Sequence, residues 1–401
     1  MAEPVVLVLN AGSSSVKFAA YEVGPEGLGA ARWRGQVEGI PDDPTLTLVD
    51  DDRRVVDGEK LKGAGVADHA GALKVSLERL FGLFGRERLL AAGHRVVHGG
   101  AEFGAPALVD DATFKRLEAL IPLAPLHQPH NLAGMRAVAE VAPGLPQVAS
   151  FDTSFHRTIP AVAHTIALPR ELREKGLRRY GFHGISYSYI ASQLPKRLSE
   201  AERGRVVVAH LGNGASLCAM RDGKSVETTM SFSALDGLLM GTRCGMLDPG
   251  VLLYLMRERG DGVESLEDML YRRGGLLGLS GVSADMRKVL ASEEPDARLA
   301  AEQFVYRIVR EVGAMASVLG GLDTLVFTAG IGERSSEIRE RVCAGLGWLG
   351  LEFDGPANAR SAERISASGS RVAAFVLPTD EEGVIANDAA TLAARRLEPV
   401  E

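Results

Sequence analysis

The sequence predicts an α/β protein made of two related halves, and three observations carry that reading. Short apolar runs alternate along the chain with longer segments whose apolar residues recur at helical spacing, the pattern of strands interleaved with helices. A strand, a turn of small residues and a second strand occupy 5–23, and the same design returns at 206–220. The length, 401 residues, suits two or three domains at about 150 residues each.

The elements follow in order. Val5 to Leu9 is a continuous apolar run that stops at Asn10-Ala11-Gly12-Ser13-Ser14-Ser15, and Val16 to Val23 resumes as a second strand. Gly24 to Gly65 reads as strands and turns of a small variable region. Ala70 to Phe84, Asp111 to Leu120 and Asn131 to Val141 have helical spacing, while Pro160, Pro169 and Pro195 punctuate the middle. Val206 to Ala209 leads into His210-Leu211-Gly212-Asn213-Gly214-Ala215-Ser216 and a strand to Met220. Arg221 to Lys224 then turns the chain into Ser225 to Met230. Helices are predicted over Pro249 to Arg259, Val263 to Tyr271 and Arg298 to Leu319. Thr324 to Thr328 is a strand feeding the loop Ala329 to Ser335. Val372 to Leu377 is the last strand, followed by Pro378-Thr379-Asp380-Glu381-Glu382-Gly383 and a closing helix.

Composition narrows the function. Hydrophobic residues at 46% and charged residues at 24% exclude a disordered or fibrous chain. A formal charge of −7 argues against a nucleic-acid-coating protein or a binder of anionic membranes. The three cysteines, Cys218, Cys244 and Cys343, lack CxxC spacing and point to neither a disulfide framework nor a zinc knuckle. No basic residue precedes Lys17, and no apolar run reaches the roughly 18 residues of a membrane span, so a cytoplasmic protein is expected. Glycine is abundant, 46 residues, and many glycines directly follow apolar runs, where a backbone can approach a ligand closely.

Those turns carry the candidate chemistry. Asn10 to Lys17 offers backbone N–H groups, hydroxyls and an ammonium, a set suited to phosphate oxygens, although it lacks the Gly-Lys-Ser/Thr of a Walker A loop. Gly212-Asn213-Gly214 and Gly330-Ile331-Gly332 are two further turns of the same kind. His94-Arg95-Val96-Val97-His98-Gly99-Gly100 contains the HxxxH spacing of zinc-binding helices, yet its valines and glycines favour a strand. Alternation then puts Arg95 and Val97 on one face, where a guanidinium fork and an alkyl cover suit a small carboxylate. Asp152 lies among aromatic residues, His183 between Phe182 and Gly184, and Arg243 in a glycine-flanked loop. Cys244 has no local Cys-His partner and is not read as a nucleophile.

Taken together, Asn10 to Lys17, His94 to Gly100, Leu123 to His127, Phe151 to His156, Tyr180 to Gly184, His210 to Gly214, Met240 to Arg243 and Phe327 to Glu333 resemble the motif series of the acetate kinase family, in that family's order and over nearly the whole chain. The resemblance implies two related actin-like (ribonuclease H-like) domains flanking a nucleotide cleft. The expected division is 1–152 plus 381–401 for the acyl-substrate and phosphate domain, and 153–380 for the nucleotide-binding domain. It also implies reversible in-line phosphoryl transfer from ATP to acetate, Mg²⁺ with Mn²⁺ as a substitute, and a homodimer. Propionate or butyrate kinases of the same family, and an ATPase of the actin or chaperone type, are the alternatives.

Carried over by motif position, Arg95, Asp152, His183 and Arg243 are the catalytic residues. Arg95, Val97, Leu126, Phe182 and Ala234 form the acyl-substrate site. Ser13, Ser15 and Lys17 lie near the nucleotide phosphates. His210, Leu211, Gly212, Asn213, Gly214, Asp285, Met286, Arg287, Gly330, Ile331, Gly332, Glu333 and Arg334 bind the nucleotide, and Asn10 and Glu381 hold the metal. Glu382 is the solvated neighbour at a helix start. The chain departs from the family pattern at Met246, Ala329, Arg334, Gln128, Ala234 and Asp236, and in Ile185-Ser186-Tyr187, where the family carries Thr-Ser-His. These changes bear on pocket shape and nucleotide preference more than on reaction class.

Overall fold

The apolar run at the head of the chain becomes β1 (Val5–Ala11), an inner strand whose Val5, Val6, Leu7, Val8 and Leu9 are all buried. The computed structural model describes residues 3–11, 15–40, 43–61 and 69–397. Its contacts divide into two units, Met1–Ser154 with Asp380–Glu401, and Phe155–Thr379. In the first unit β1 is joined by β2 (Ser15–Gly24), β3 (Gly27–Glu38), β4 (Thr45–Asp50), β5 (Val55–Lys60), β6 (Leu89–Val96), β7 (Ala107–Leu108) and β8 (Gln147–Phe151) in an eight-stranded sheet of order β5-β4-β3-β2-β1-β6-β8-β7. β1, β2 and β3 pair antiparallel, whereas β1, β6 and β8 run parallel. Burial on both faces explains why β1 reads as an unbroken apolar run. Leu7 and Leu9 pack with Leu73, Leu77 and Val138 of the helices His69–Phe84 and Gln128–Val141. The closing helix Glu381–Leu397 lies against β6, where a Cβ on Gly93 would sit 2.7 Å from Ile385 Cγ2.

The second unit repeats the design. β9 (Arg205–Leu211), β10 (Ala215–Arg221), β11 (Lys224–Thr228), β12 (Thr324–Thr328) and β13 (Ala373–Val376) form a five-stranded sheet of order β11-β10-β9-β12-β13. β9, β10 and β11 pair antiparallel, and β9, β12 and β13 run parallel. The strands β3-β2-β1-β6-β8 have the same order and the same directions, so the motif repeat in the sequence is a repeat of topology. Helix Pro295–Leu319 buries a stripe that includes Phe304, Ile308, Val312 and Met315. Among the described residues no helix is long and apolar enough to cross a membrane.

Boundaries differ from the sequence reading where proline is involved. The helices expected from Asn131 and Arg298 begin at Gln128 and Pro295, because proline in the first turn lacks only an N–H that needs no helical partner there. Pro195, expected as punctuation, lies inside helix Gly184–Arg197 near its end. Ala329–Arg334, expected as loop, is a short helix, and the two-residue β7 has no signal of its own.

One cross-strand pair invites a test. Gly35 of β3 faces Phe18 of β2, and a Cβ there would lie 2.3 Å from the buried ring's Cζ. Gly35→Ala is expected to destabilise the protein by about 1–3 kcal/mol through overpacking, read as a lower urea midpoint; an unchanged midpoint would mean that the ring has room to move.

Candidate active site

In the first unit the parallel strands bring their C-terminal ends to one edge. Arg95 is the penultimate residue of β6, and Asp152 directly follows β8, whose Phe151 pairs with Val96. Arg95 Nε and Nη2 donate to the two oxygens of Asp152 at 3.0 and 2.7 Å, a fork-on-fork pair in which the aspartate side chain is 3% exposed. Burial disfavours the guanidinium charge, but Asp152, its hydrogen bonds and then Glu381 outweigh it, so the pKa of Arg95 is raised. Asn10, at the end of β1, places Oδ1 3.5 Å from Arg95 Nη1. Asn131 ties this edge together: its Nδ2 donates to Ala11 O at 3.1 Å and its Oδ1 accepts from Val97 N at 3.0 Å. Val97 is buried, and Leu126 is half-buried.

Glu381 and Glu382 diverge. Glu381 contributes to the field at Arg95. Glu382, expected as a solvated charge, is instead partly buried, with Oε2 3.7 Å from Arg34 Nε. Burial raises its pKa, Asp380 adds to the rise, and Arg34 and Lys17 oppose it. Lys17 is exposed on β2 in register with Asn10, and Ser15 begins the same strand. Ser13 lies outside the described residues. The HxxxH histidines serve the scaffold, since His94 Nε2 bonds Gln147 Oε1 at 2.7 Å and His98 Nδ1 accepts from Gly100 N at 2.9 Å.

In the second unit a cavity of about 290 Å³ is lined by Gly212, Asn213, Asp285, Met286, Arg287, Leu290, Gly330, Ile331, Arg334 and Ser335. Eight of these are expected from the sequence, Asp285, Met286, Arg287 and Arg334 through the family resemblance alone; Leu290 and Ser335 are additional. Gly212 and Gly330 follow β9 and β12, parallel neighbours that end at the same edge. Asn213 packs on Gly241, where a Cβ would collide with its Oδ1. His210 and Leu211 close β9, and Gly332 lies in the short helix. Asp285 caps helix Met286–Leu290 by accepting from Arg287 N at 2.9 Å and also pairs with the exposed Arg287 guanidinium, which holds its carboxyl below the usual range. Glu333 folds back, accepting from Ala329 N at 2.9 Å and Thr379 N at 3.3 Å, which makes it a brace for the start of the short helix.

Beside this cavity a guanidinium and an imidazole nitrogen converge. A Cβ on Gly214 would lie 2.8 Å from Arg243 Nη2 and 3.2 Å from His183 Nε2, so both point into the space that this glycine leaves open. Arg243 is steadied by Nη1 donating to Ala234 O at 2.6 Å. His183 holds φ 58, a conformation strained for a residue with a Cβ, and its ring stacks on that of His210 at a centroid distance of 4.1 Å. The preceding turn is buttressed by His156, whose Nε2 donates to Phe182 O at 2.9 Å while Nδ1 bonds Ser225 Oγ at 2.8 Å. Burial holds His156 neutral, its pKa lowered to about 4. Phe182 itself is buried. Cys244 is half-buried and burial raises its pKa, as expected of an unreactive thiol.

Comparison with known proteins gives a consistent result. The profile of the Acetokinase family matches residues 5–387. An acetate kinase of Rhodopseudomonas palustris is 51% identical over 395 residues, covering 95% of this chain and 96% of the relative. Among solved structures, Porphyromonas gingivalis acetate kinase aligns with a TM-score of 0.86 at 37% identity, over 97% of this chain and 99% of the other. A propionate kinase from Francisella tularensis aligns at 0.89 and 36% identity, over 97% and 99%.

The short helix that lines the cavity opens on a second strained residue. Ala329 has φ 65, which costs an L-residue about 1–2 kcal/mol. Ala329→Gly removes that strain and adds about 0.4–1 kcal/mol of unfolded-state freedom. The net expectation is a rise in the thermal midpoint. A fall would show that packing of the methyl group against Gly212 outweighs the strain.

Proposed function

The chain belongs to the acetokinase family, and from that premise we propose that it is an acetate kinase, transferring the γ-phosphoryl group of ATP to acetate to give acetyl phosphate and ADP, reversibly. The observation that carries the reading is the convergence of Arg243 Nη2 and His183 Nε2 above Gly214, beside a glycine-lined cavity. The cavity takes the nucleotide, and the Arg95 edge of the first unit takes the carboxylate. Val97, Leu126 and Phe182 are assigned to the alkyl tail. An oxygen of acetate bonds to the γ-phosphorus while the bond to the β–γ bridging oxygen breaks and its electron pair leaves with ADP. Acetate is already ionised at neutral pH, so no base has to create the nucleophile. Asp152 accordingly acts through Arg95, fixing the guanidinium's orientation. Arg243 and His183 stabilise charge on the transferring group.

Asn10 and Glu381 offer the hard oxygen donors that suit Mg²⁺, and both stand at the edge where Arg95 emerges. A bound Mg²⁺ supplies charge neutralisation to the nucleotide phosphates. A second copy of this chain is the proposed partner, supported by helix Pro249–Glu258, which exposes Leu253, Tyr254 and Met256. Propionate is a second acceptor in this reading. The likeness to a propionate kinase favours it, as does Ala234, which is smaller than the proline of the family pattern.

Trapping the product with hydroxylamine in the presence of ATP and Mg²⁺ tests the reaction directly, since an acyl phosphate yields a hydroxamate and an ATPase of the actin type yields only phosphate. Glu381→Gln should raise the Mg²⁺ requirement and lower activity far more than Glu382→Gln. Equal losses would place the metal ligand wrongly.

Acyl-chain tolerance gives a second measurement. One methylene of extra room changes discrimination by around 1 kcal/mol. Propionate should therefore be a usable substrate, and Ala234→Pro, which keeps the carbonyl that holds Arg243, should shift the ratio of kcat/KM values toward acetate. An unchanged ratio in a folded variant would remove Ala234 from the pocket.

A further inference from the structure

Behind His183 lies a pair of hydroxyls that neither the motif series nor the cavity accounts for. Ser216, on β10, places Oγ 2.8 Å from His183 Nδ1 and 2.5 Å from the hydroxyl of Tyr187. Tyr187 and Ser216 are both fully buried. Tyr187 sits one turn beyond His183, its backbone N–H donating to His183 O at 3.0 Å. Its ring is fixed edge-on between His156 and His210, with centroids 5.6 and 6.3 Å away. The three polar groups thus form a chain in a dry setting, phenol to hydroxyl to imidazole, and only the far imidazole nitrogen, Nε2, reaches the space above Gly214 beside Arg243.

Hydrogen counting gives that chain a direction. Ser216 has one hydrogen and can donate either to His183 Nδ1 or to Tyr187, and a phenol is the better donor of the two hydroxyls. With Tyr187 donating to Ser216 and Ser216 donating to Nδ1, a neutral imidazole must carry its proton on Nε2. The reverse order would leave Nε2 with a bare lone pair turned toward phosphoryl oxygens, an acceptor facing acceptors. We propose that Tyr187 and Ser216 are positioning residues that fix the tautomer and ring orientation of His183, so that Nε2–H is presented to the transferring phosphoryl group. The order of donation from Tyr187 to Ser216 rests on the hydroxyl chemistry of the pair; the use of Nε2–H in phosphoryl transfer rests on the acetate kinase reading.

Histidine-selective ¹⁵N labelling of the full chain reads the tautomer without turnover. The expected spectrum shows His183 protonated at Nε2 and unprotonated at Nδ1, with Nδ1–H gaining population in Tyr187→Phe and in Ser216→Ala. Complete loss of one transition-state donor costs about 10²-fold. Partial misorientation in Ser216→Ala should therefore lower kcat about tenfold while KM for acetate and ATP stays within about twofold. Tyr187→Phe should give a smaller fall in the same direction, and Ser216→Thr, which keeps the hydroxyl, should recover most of the rate. A wild-type His183 protonated at Nδ1, or variants that leave both tautomer and kcat unchanged, would overturn the relay. So would a rate loss with an unchanged tautomer. Absence of any hydroxamate from the wild-type enzyme would instead overturn the reaction assignment, leaving the tautomer result to judge the relay.

Discussion

A guanidinium and a carboxylate set at the ends of two parallel strands are the constraint around which the first unit is arranged. Arg95 and Asp152 can meet in a two-point fork only because β6 and β8 run the same way and end together. Neither charge would be tolerable alone: removing one partner of a buried pair costs roughly 3–5 kcal/mol, and the partial exposure of Arg95 moderates that figure. The fork also leaves Nη1 directed at Asn10. A sheet whose inner strands are covered on both sides thus exports its chemistry to one edge, as parallel sheets do.

The second unit uses the same geometry for a different end. β9 and β12 are parallel, and where they stop the chain enters glycine turns that line the cavity. Repetition of the strand order explains why the sequence shows a strand followed by a small-residue turn more than once. The two copies nonetheless deliver different groups: an ion pair and side-chain oxygens at one, backbone-lined space with two converging side-chain nitrogens at the other.

Legibility in the sequence followed from how local each feature is. The strands were legible because full burial writes itself as an apolar run, as in Val5 to Leu9 and Val206 to Ala209. The glycine turns of the cavity are legible because a backbone that must approach a ligand favours glycine, whereas Asp285, Met286, Arg287 and Arg334 are reached only through the family resemblance. Helix starts read late from the sequence where proline opens them. Glu382 reads as solvated in the sequence because its setting depends on Arg34, a residue of β3 far away along the chain. Asn131, His156, Tyr187 and Ser216 were not singled out as supports for the same reason. Each is an ordinary polar residue whose role exists only once distant segments meet.

Strain and bracing occur together in the second unit. His183 and Ala329 both adopt a backbone conformation that glycine adopts more cheaply. Each is restrained by a hydrogen bond to its own backbone or to that of the preceding residue. The His156 imidazole holds the Phe182 carbonyl, and the Glu333 carboxylate holds the Ala329 amide. A conformation costing on the order of 1–2 kcal/mol persists where several such bonds would be lost on relaxing it. For His183 the reason to keep the strain is visible in the ring, which must reach Ser216 with one nitrogen and the space above Gly214 with the other. Ala329 has no comparable side-chain duty, so its strain serves the path of the backbone around the cavity. The same φ therefore has two causes in one unit, side-chain aim at His183 and main-chain course at Ala329.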